Sequence, residues 1–246
     1  MVGARCIGSV DDEYFCHLWR SQRAAFSPLL LRTEDCGVPA WHLLGEATFA
    51  LEHIATALKQ IESSGVASLW RNELLDVRDC DELPVGQIER GAVRALGIST
   101  RAVHLVGCDD QKRLWIQQRS LTKSTDPGLW DTLMGGMISA RDTLESALER
   151  ETWEEAGIGL KALMNVRWGG YVVLNMPHAN DGGIGYVNER IDWFQCEVPA
   201  GVQPVNLDGE VERFARVDQS ELRAMLEGNA FTSEAALIMV QYLRGL

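Results

Sequence analysis

Glu151, Glu154 and Glu155 are the residues of this chain best suited to chemistry. They stand at i, i+3 and i+4 in Arg150-Glu151-Thr152-Trp153-Glu154-Glu155-Ala156-Gly157-Ile158, so on a helix they share one face. Leu144, Ala147 and Leu148 continue that face one or two turns earlier, which aims the acids at the protein interior. Such an arrangement is costly. Like charges at these spacings cost roughly 0.2–0.5 kcal/mol per pair. The negative end of the helix dipole adds roughly 0.3–1 kcal/mol against an acid in the last turns. Inward carboxylates without partners cost more still. A hard divalent cation removes all three penalties, and carboxylate oxygens are the donors that Mg²⁺ or Mn²⁺ prefers. Arg150, four residues before Glu154, is placed to orient a glutamate.

The helix carrying these acids is predicted to start at Asp142 as N-cap, with Glu145 as its capping-box partner, and to stop at Gly157. Strands are predicted at 102–107 and 114–118, joined by a polar turn, and a loop at 119–129 leads through 130–138 to the helix. Later strands are expected at 168–174 and 191–196, and helices at 219–226 and 233–243. Before this region, helices are expected at 10–22, 47–63 and 88–96, the last closed by Gly97, with a strand or strand end at 70–77. The change of texture near residues 97–100 predicts two domains, 1–98 and 99–246.

The segment Gly136 to Ile158 resembles the Nudix box, G-x5-E-x7-R-E-U-x-E-E-x-G-U with U aliphatic. Gly136, Arg150, Glu151, Glu154, Glu155, Gly157 and Ile158 fall in register, while Asp142 replaces a glutamate and Thr152 an aliphatic residue. The resemblance implies a Nudix α/β/α sandwich around a mixed sheet, here preceded by a small α+β N-terminal domain. It implies Mg²⁺- or Mn²⁺-dependent attack of water on a pyrophosphate. Glu154 and Glu155 are then metal ligands, and Glu151 is a ligand or the water-activating base. The Gly135 carbonyl joins the metal set, and Glu210 or Glu212 completes it as a distal acid. Arg119 and Lys123, in the preceding loop, are expected on substrate phosphate.

Further stretches resemble a thiamine pyrophosphokinase-related Nudix subgroup with an extra N-terminal domain. They are Trp70-Arg71-Asn72-Glu73, Ile88-Glu89-Arg90, Leu96-Gly97-Ile98 and Val103-His104-Leu105, with Arg119, Ser120, Lys123, Pro127, Gly128 and Asp131, and then Asp208 to Phe214. This points to thiamine diphosphate or a damaged form of it as substrate. ADP-ribose, NADH or another nucleoside diphosphate derivative, and a non-catalytic ligand-binding module, are the alternatives. The 119–131 stretch also resembles isopentenyl diphosphate isomerase. That enzyme needs a cysteine and histidines just after the loop, where this chain has Thr132-Leu133-Met134.

Composition narrows the class. A net charge of −12 without a basic run argues against nucleic acid, and a small-molecule diphosphate is the expected partner. No apolar run reaches the length of a membrane span, so no membrane partner is expected. Cys6, Cys16, Cys36, Cys80, Cys108 and Cys196 are scattered without a C-x2-C pair, which fits reduced thiols in the cytoplasm. A monomer or homodimer is expected. His104 is expected to be a packed strand histidine, and Trp41, Trp70 and Trp168 are candidates to stack on a substrate ring.

Overall fold

The computed structural model describes residues 1–35, 37–180 and 183–245, so Cys36 lies outside the described residues. The chain divides into two compact units: Met1–Thr100 with Ser139–Arg141 and Asn175–Glu189, and Arg101–Ile138 with Asp142–Leu174 and Arg190–Leu246.

The first unit opens with helices α1 (Asp12–Ser21) and α2 (Arg23–Phe26), then a hairpin of β1 (Leu30–Asp35) and β2 (Val38–Leu43). Helix α3 (Ala47–Lys59) follows, with a short turn to α4 (Val66–Leu69) and a second antiparallel pair, β3 (Leu74–Arg78) and β4 (Pro84–Glu89). Of the apolar positions at helical spacing in 47–63, Ile54 and Leu58 are buried on α3 with Ala50, Leu51 and Ala55, Ile61 is buried just beyond the helix, and Phe49 is exposed. The helix predicted over 88–96 is not formed. Ile88 and Glu89 end β4, and only Arg90–Ala92 forms a 3₁₀ turn. Glu89 accepts from the Arg71 and Gly91 backbone N–H groups, and a Cβ at Gly91 would strike the Leu69 carbonyl. Side-chain capping and close backbone approach outweigh the helical spacing of Ile88, Ala92 and Leu96.

The second unit is a sheet covered on both faces. Its strands are β5 (Ser99–Cys108, whose first two residues fall in the first unit), β6 (Leu114–Arg119), β7 (Trp130–Asp131) and β8 (Met134–Met137). Helix α5 (Leu144–Ala156) follows, then β9 (Met164–Asn180) and β10 (Gly183–Glu197), whose facing ends from Asn175 to Glu189 fall in the first unit, and β11 (Val211–Val217), α6 (Gln219–Glu227) and α7 (Ser233–Arg244). The strand order is β11-β6-β5-β10-β9, with β7 paired to β6 and β8 to β5. Alternate residues of β5 serve opposite layers. Val103 and Leu105 pack with Ala147, Leu148 and Ala156 of α5. Ala102 and Val106 pack with Leu222 of α6 and Ala235, Ile238 and Met239 of α7. The result is the expected α/β fold with helices on either side of a mixed sheet, in which a parallel bridge joins Trp130 to Phe231.

The start of α5 differs from expectation. Thr143, not Asp142, is the N-cap, and its capping-box partner is Ser146. Asp142 is drawn away by Arg150, whose Nε and Nη2 donate to its Oδ2 at 3.0 and 2.7 Å. The end is as predicted: Gly157 adopts φ +63° and its N–H returns to the Thr152 and Trp153 carbonyls.

Candidate active site

The acids of α5 face β8 and β6. Glu155 is buried, and its Oε2 accepts from the Gly135 backbone N–H at 3.0 Å and from Gln117 Nε2 at 2.8 Å. Its Oε1 lies 3.6 Å from Lys123 Nζ, which also meets Glu210 Oε2 at 2.5 Å. Glu151 is buried beside the backbone of Gly136, where any Cβ would collide with its carboxyl group. Glycine at 136 is thus a cradle for a carboxylate. Glu154 stands at the rim with its side chain 45% exposed, rather than inward. At about 100° per residue, Glu151 and Glu155 lie closest together and Glu154 falls to one side. There Arg150 collects it: Nη1 donates to Glu151 Oε1 at 2.9 Å and to Glu154 Oε2 at 3.0 Å.

Burial and the neighbouring Glu155 push Glu151 up to about 7. Burial also raises Glu155, against the pull of Lys123, Gly135 N–H and Gln117. Arg150 loses to burial but gains more from Glu151, Asp142 and Glu154, and its pKa rises.

Beneath the site runs a second polar chain. The ring of His104 occupies the space a side chain at Gly135 would need. Its Nδ1 lies 3.0 Å from Thr132 Oγ1 and 3.4 Å from Asp131 Oδ1. Thr132 Oγ1 spends its proton on the Met134 carbonyl, so Nδ1 carries the hydrogen. Burial lowers the His104 pKa, but the Asp131 hydrogen bond and charge outweigh it and the net shift is upward. His104 is therefore packed, as expected, and also holds the floor of the site.

The remaining expectations divide. Arg119 turns into its own loop, donating to the Thr125 carbonyl at 3.0 Å and pairing with Asp131 at 3.5 Å. The structure brings Lys123, not Arg119, to the carboxylates. Glu210 joins them through Lys123, whereas Glu212 is exposed at a bulge between the Val211–Arg119 and Arg213–Gln118 pairs. The bulge breaks the alternation that would place both glutamates on one face. It is the N–H of Gly135 that engages Glu155. Of the tryptophans, Trp41 is buried and bonded to Asp12, Trp70 lies under Lys59, and Trp168 is exposed with its N–H on Asp192. Gln117 is the site residue that the motifs missed. Its signal is a polar side chain at an inward position of a strand with both faces covered.

The cluster fits a hard cation in four ways. Its acidic donors are all oxygen. Gly136 leaves room for a carboxylate against the backbone. Side-chain cations, Lys123 and Arg150, already neutralise the acids. The buried Gln117 Oε1 has no hydrogen-bond partner among the described residues. No group of three or more acids, histidines or cysteines is drawn round one point among the described residues. The acids are instead tied to Lys123 and to Arg150.

Comparison with known proteins gives a consistent result. The sequence profile of the NUDIX domain matches residues 99–236, more than half of the chain. Nudix hydrolase 20, chloroplastic, of Arabidopsis thaliana is 29% identical over 197 residues, covering 77% of this chain and 51% of that one. Nudix hydrolase 24, chloroplastic, of the same plant is 30% identical over 203 residues, covering 80% and 54%. The chain spans about half the length of these relatives. The crystal structure of DR0079 from Deinococcus radiodurans matches with a TM-score of 0.55 and 23% identity over 68% of this chain and 96% of that one, a likeness of fold.

Proposed function

The chain belongs to the NUDIX domain family, and on that footing we propose that it is a divalent-metal-dependent hydrolase of a pyrophosphate bond in a small diphosphate compound. The observation that carries this reading is the carboxylate cluster of α5, seated against Gly135 and Gly136 and neutralised from opposite sides by Lys123 and Arg150. Glu151, Glu154, Glu155 and Glu210, with the Gly135 carbonyl, are the residues that would hold Mg²⁺ or Mn²⁺. Glu212 is the alternative distal acid. The chemistry such a cation supplies is neutralisation of phosphate charge and activation of water.

The chain's own residues supply the rest. Glu151 is either one of these ligands or the water-activating base; burial and Glu155 push it up to about 7, toward the range that a base working at neutral pH needs. Arg150 fixes the orientation of Glu151 and Glu154. Lys123 is positioned to leave Glu155 and Glu210 for a substrate phosphate. Arg119, held by Thr125 and Asp131, shapes the loop that presents Lys123 and is at most an indirect contact.

Within this class, thiamine diphosphate or a damaged form ranks first. The ground is the resemblance of the Trp70–Glu73, Ile88–Arg90 and Asp208–Phe214 stretches to the thiamine pyrophosphokinase-related subgroup. ADP-ribose and other nucleoside diphosphate derivatives rank second. The division at residue 98/99, a role of the first part in substrate or dimer contacts, action in the cytoplasm as monomer or homodimer, and the absence of nucleic-acid and membrane partners belong to the same proposal. Among the described residues no helix is long and apolar enough to cross a membrane.

The test is product formation, read by chromatography, from a panel holding thiamine diphosphate (giving the monophosphate and phosphate), ADP-ribose (giving AMP and ribose 5-phosphate) and NADH (giving AMP and reduced nicotinamide mononucleotide), with Mg²⁺ or Mn²⁺ and with EDTA. Metal-dependent turnover of at least one compound is expected, falling by about 10²-fold or more in Glu154→Gln with the fold intact. No turnover across the panel, or an unchanged rate in Glu154→Gln, refutes the reading.

A further inference from the structure

We infer that Gln117 is a positioning residue that makes Glu155 a one-oxygen ligand and completes its own hydrogen bonding only when a cation with its bound water is present. The inference rests on the metal-dependent reading above and extends it to a residue outside the family motif.

Gln117 lies on β6 between Ile116 and Gln118, on the same side of the strand as Trp115, which packs in the apolar layer under α5. It is 1% exposed. An amide in such a layer is costly unless every polar atom finds a partner. Its Nε2 does, donating to Glu155 Oε2 at 2.8 Å. Its Oε1 does not, among the described residues. Rotating the amide cannot repair this, because it would turn the carbonyl oxygen toward the carboxylate and leave Nε2 as the unmet atom. Glu155 thus fixes which way the amide faces.

The same contact has a consequence for Glu155. Its Oε2 receives two N–H donors, Gln117 Nε2 and Gly135 N. Only Oε1 is left to face a positive charge, and Lys123 is the charge it faces. Gln117 and Gly135 together hold the carboxylate in this one orientation. The unmet oxygen of Gln117 shares one planar amide with Nε2, so it lies one bond angle from the atom that holds Glu155. A water bound to a cation there is a donor of the required kind.

The experiment measures Mn²⁺ binding to the full chain by the electron spin resonance of free Mn²⁺, beside the thermal midpoint of the metal-free protein. Gln117→Met keeps length and bulk but removes both polar atoms. Gln117→Asn keeps the amide and shortens its reach. Both are expected to weaken Mn²⁺ binding by about tenfold, as loss of a group that orients a metal ligand does. The metal-free midpoint of Gln117→Met is expected to hold or rise, because the unmet acceptor is gone. A purely structural glutamine would show the opposite pattern: a midpoint lowered by several degrees in both variants and a Kd within twofold of wild type. That pattern overturns the inference while leaving the hydrolase reading in place. Absence of Mn²⁺ binding in the wild-type protein overturns both.

Discussion

Glu151 combines two costs, burial and the nearby Glu155, and both favour its protonated form. A carboxyl whose folded pKa lies above its unfolded value binds its proton more tightly in the folded protein. The stability this contributes is complete below the ordinary value of 4.5 and is lost as pH rises through about 7. At about 1.4 kcal/mol per unit the loss is about 3 kcal/mol. The Glu151 side chain is 12% exposed, so screening by water removes little of it. Glu155 shifts in the same direction. The buried Asp131, Asp109 and Asp192 shift downward and act below 3.8, outside this window, while His104, raised from 6.5, adds a loss in the same direction above that pH. The thermal midpoint in EDTA is therefore expected to fall between pH 5 and 7.5. The slope should flatten in Glu151→Gln and with saturating Mg²⁺ or Mn²⁺; a flat wild-type profile in EDTA would contradict the placement of Glu151.

Helix α5 positions Glu151, Glu154 and Glu155, and its two ends are fixed by different means. At the start, Thr143 Oγ1 accepts from Ser146 N and Ser146 Oγ accepts from Thr143 N. At the end, Gly157 turns left-handed, and the segment after β10 supplies Val205 N to the Ala156 carbonyl and Leu207 N to the Glu154 carbonyl. A Cβ at Gly157 would stand 2.7 Å from the Val205 carbonyl as well as in a strained backbone region. Thr143→Ala is expected to cost about 1 kcal/mol. Gly157→Ala should cost about 2 kcal/mol or more, from the left-handed backbone and the clash together. Urea unfolding followed by circular dichroism ranks the two, and equal costs would contradict the close approach of residue 205. Among the elements that periodicity missed, the β1–β2 hairpin has Arg32, Thr33, Glu34 and Pro39 interrupting its apolar positions. Its order comes from the full register Leu30–Leu43 to Asp35–Val38, which only pairing reveals.

Across the whole molecule, the acids, Lys123, Arg150, Gln117 and His104 all come from the second compact unit. The first unit has its own buried set, with Leu51, Ile54 and Leu58 of α3 at its centre. Leu51→Ala is expected to cost about 2–5 kcal/mol through the cavity it leaves. The same variant, below its unfolding transition, should bind Mn²⁺ with wild-type affinity. A weakened Kd in folded Leu51→Ala would show that the site depends on the first unit.

Read alone, the sequence determined the acidic helix, its glycine stop and segments of the strands β5, β6, β9 and β10, but not the edge strand β11. These are local properties: turn spacing, a left-handed position and alternation are written in neighbouring residues. It also marked Glu151, Glu154, Glu155, Arg150 and Lys123 for a common site. Tertiary structure alone decided how they share the work. It moved the cap to Thr143 because Arg150 claims Asp142, and it spent Arg119 on Thr125 and Asp131. It separated Glu210 from Glu212 by a bulge and brought Gln117, from a strand beginning thirty residues before the helix, onto Glu155. The partners that Asp142, Arg119 and Gln117 take are each settled by competition among groups that the fold brings together, and burial sets its strength by removing water as the alternative partner.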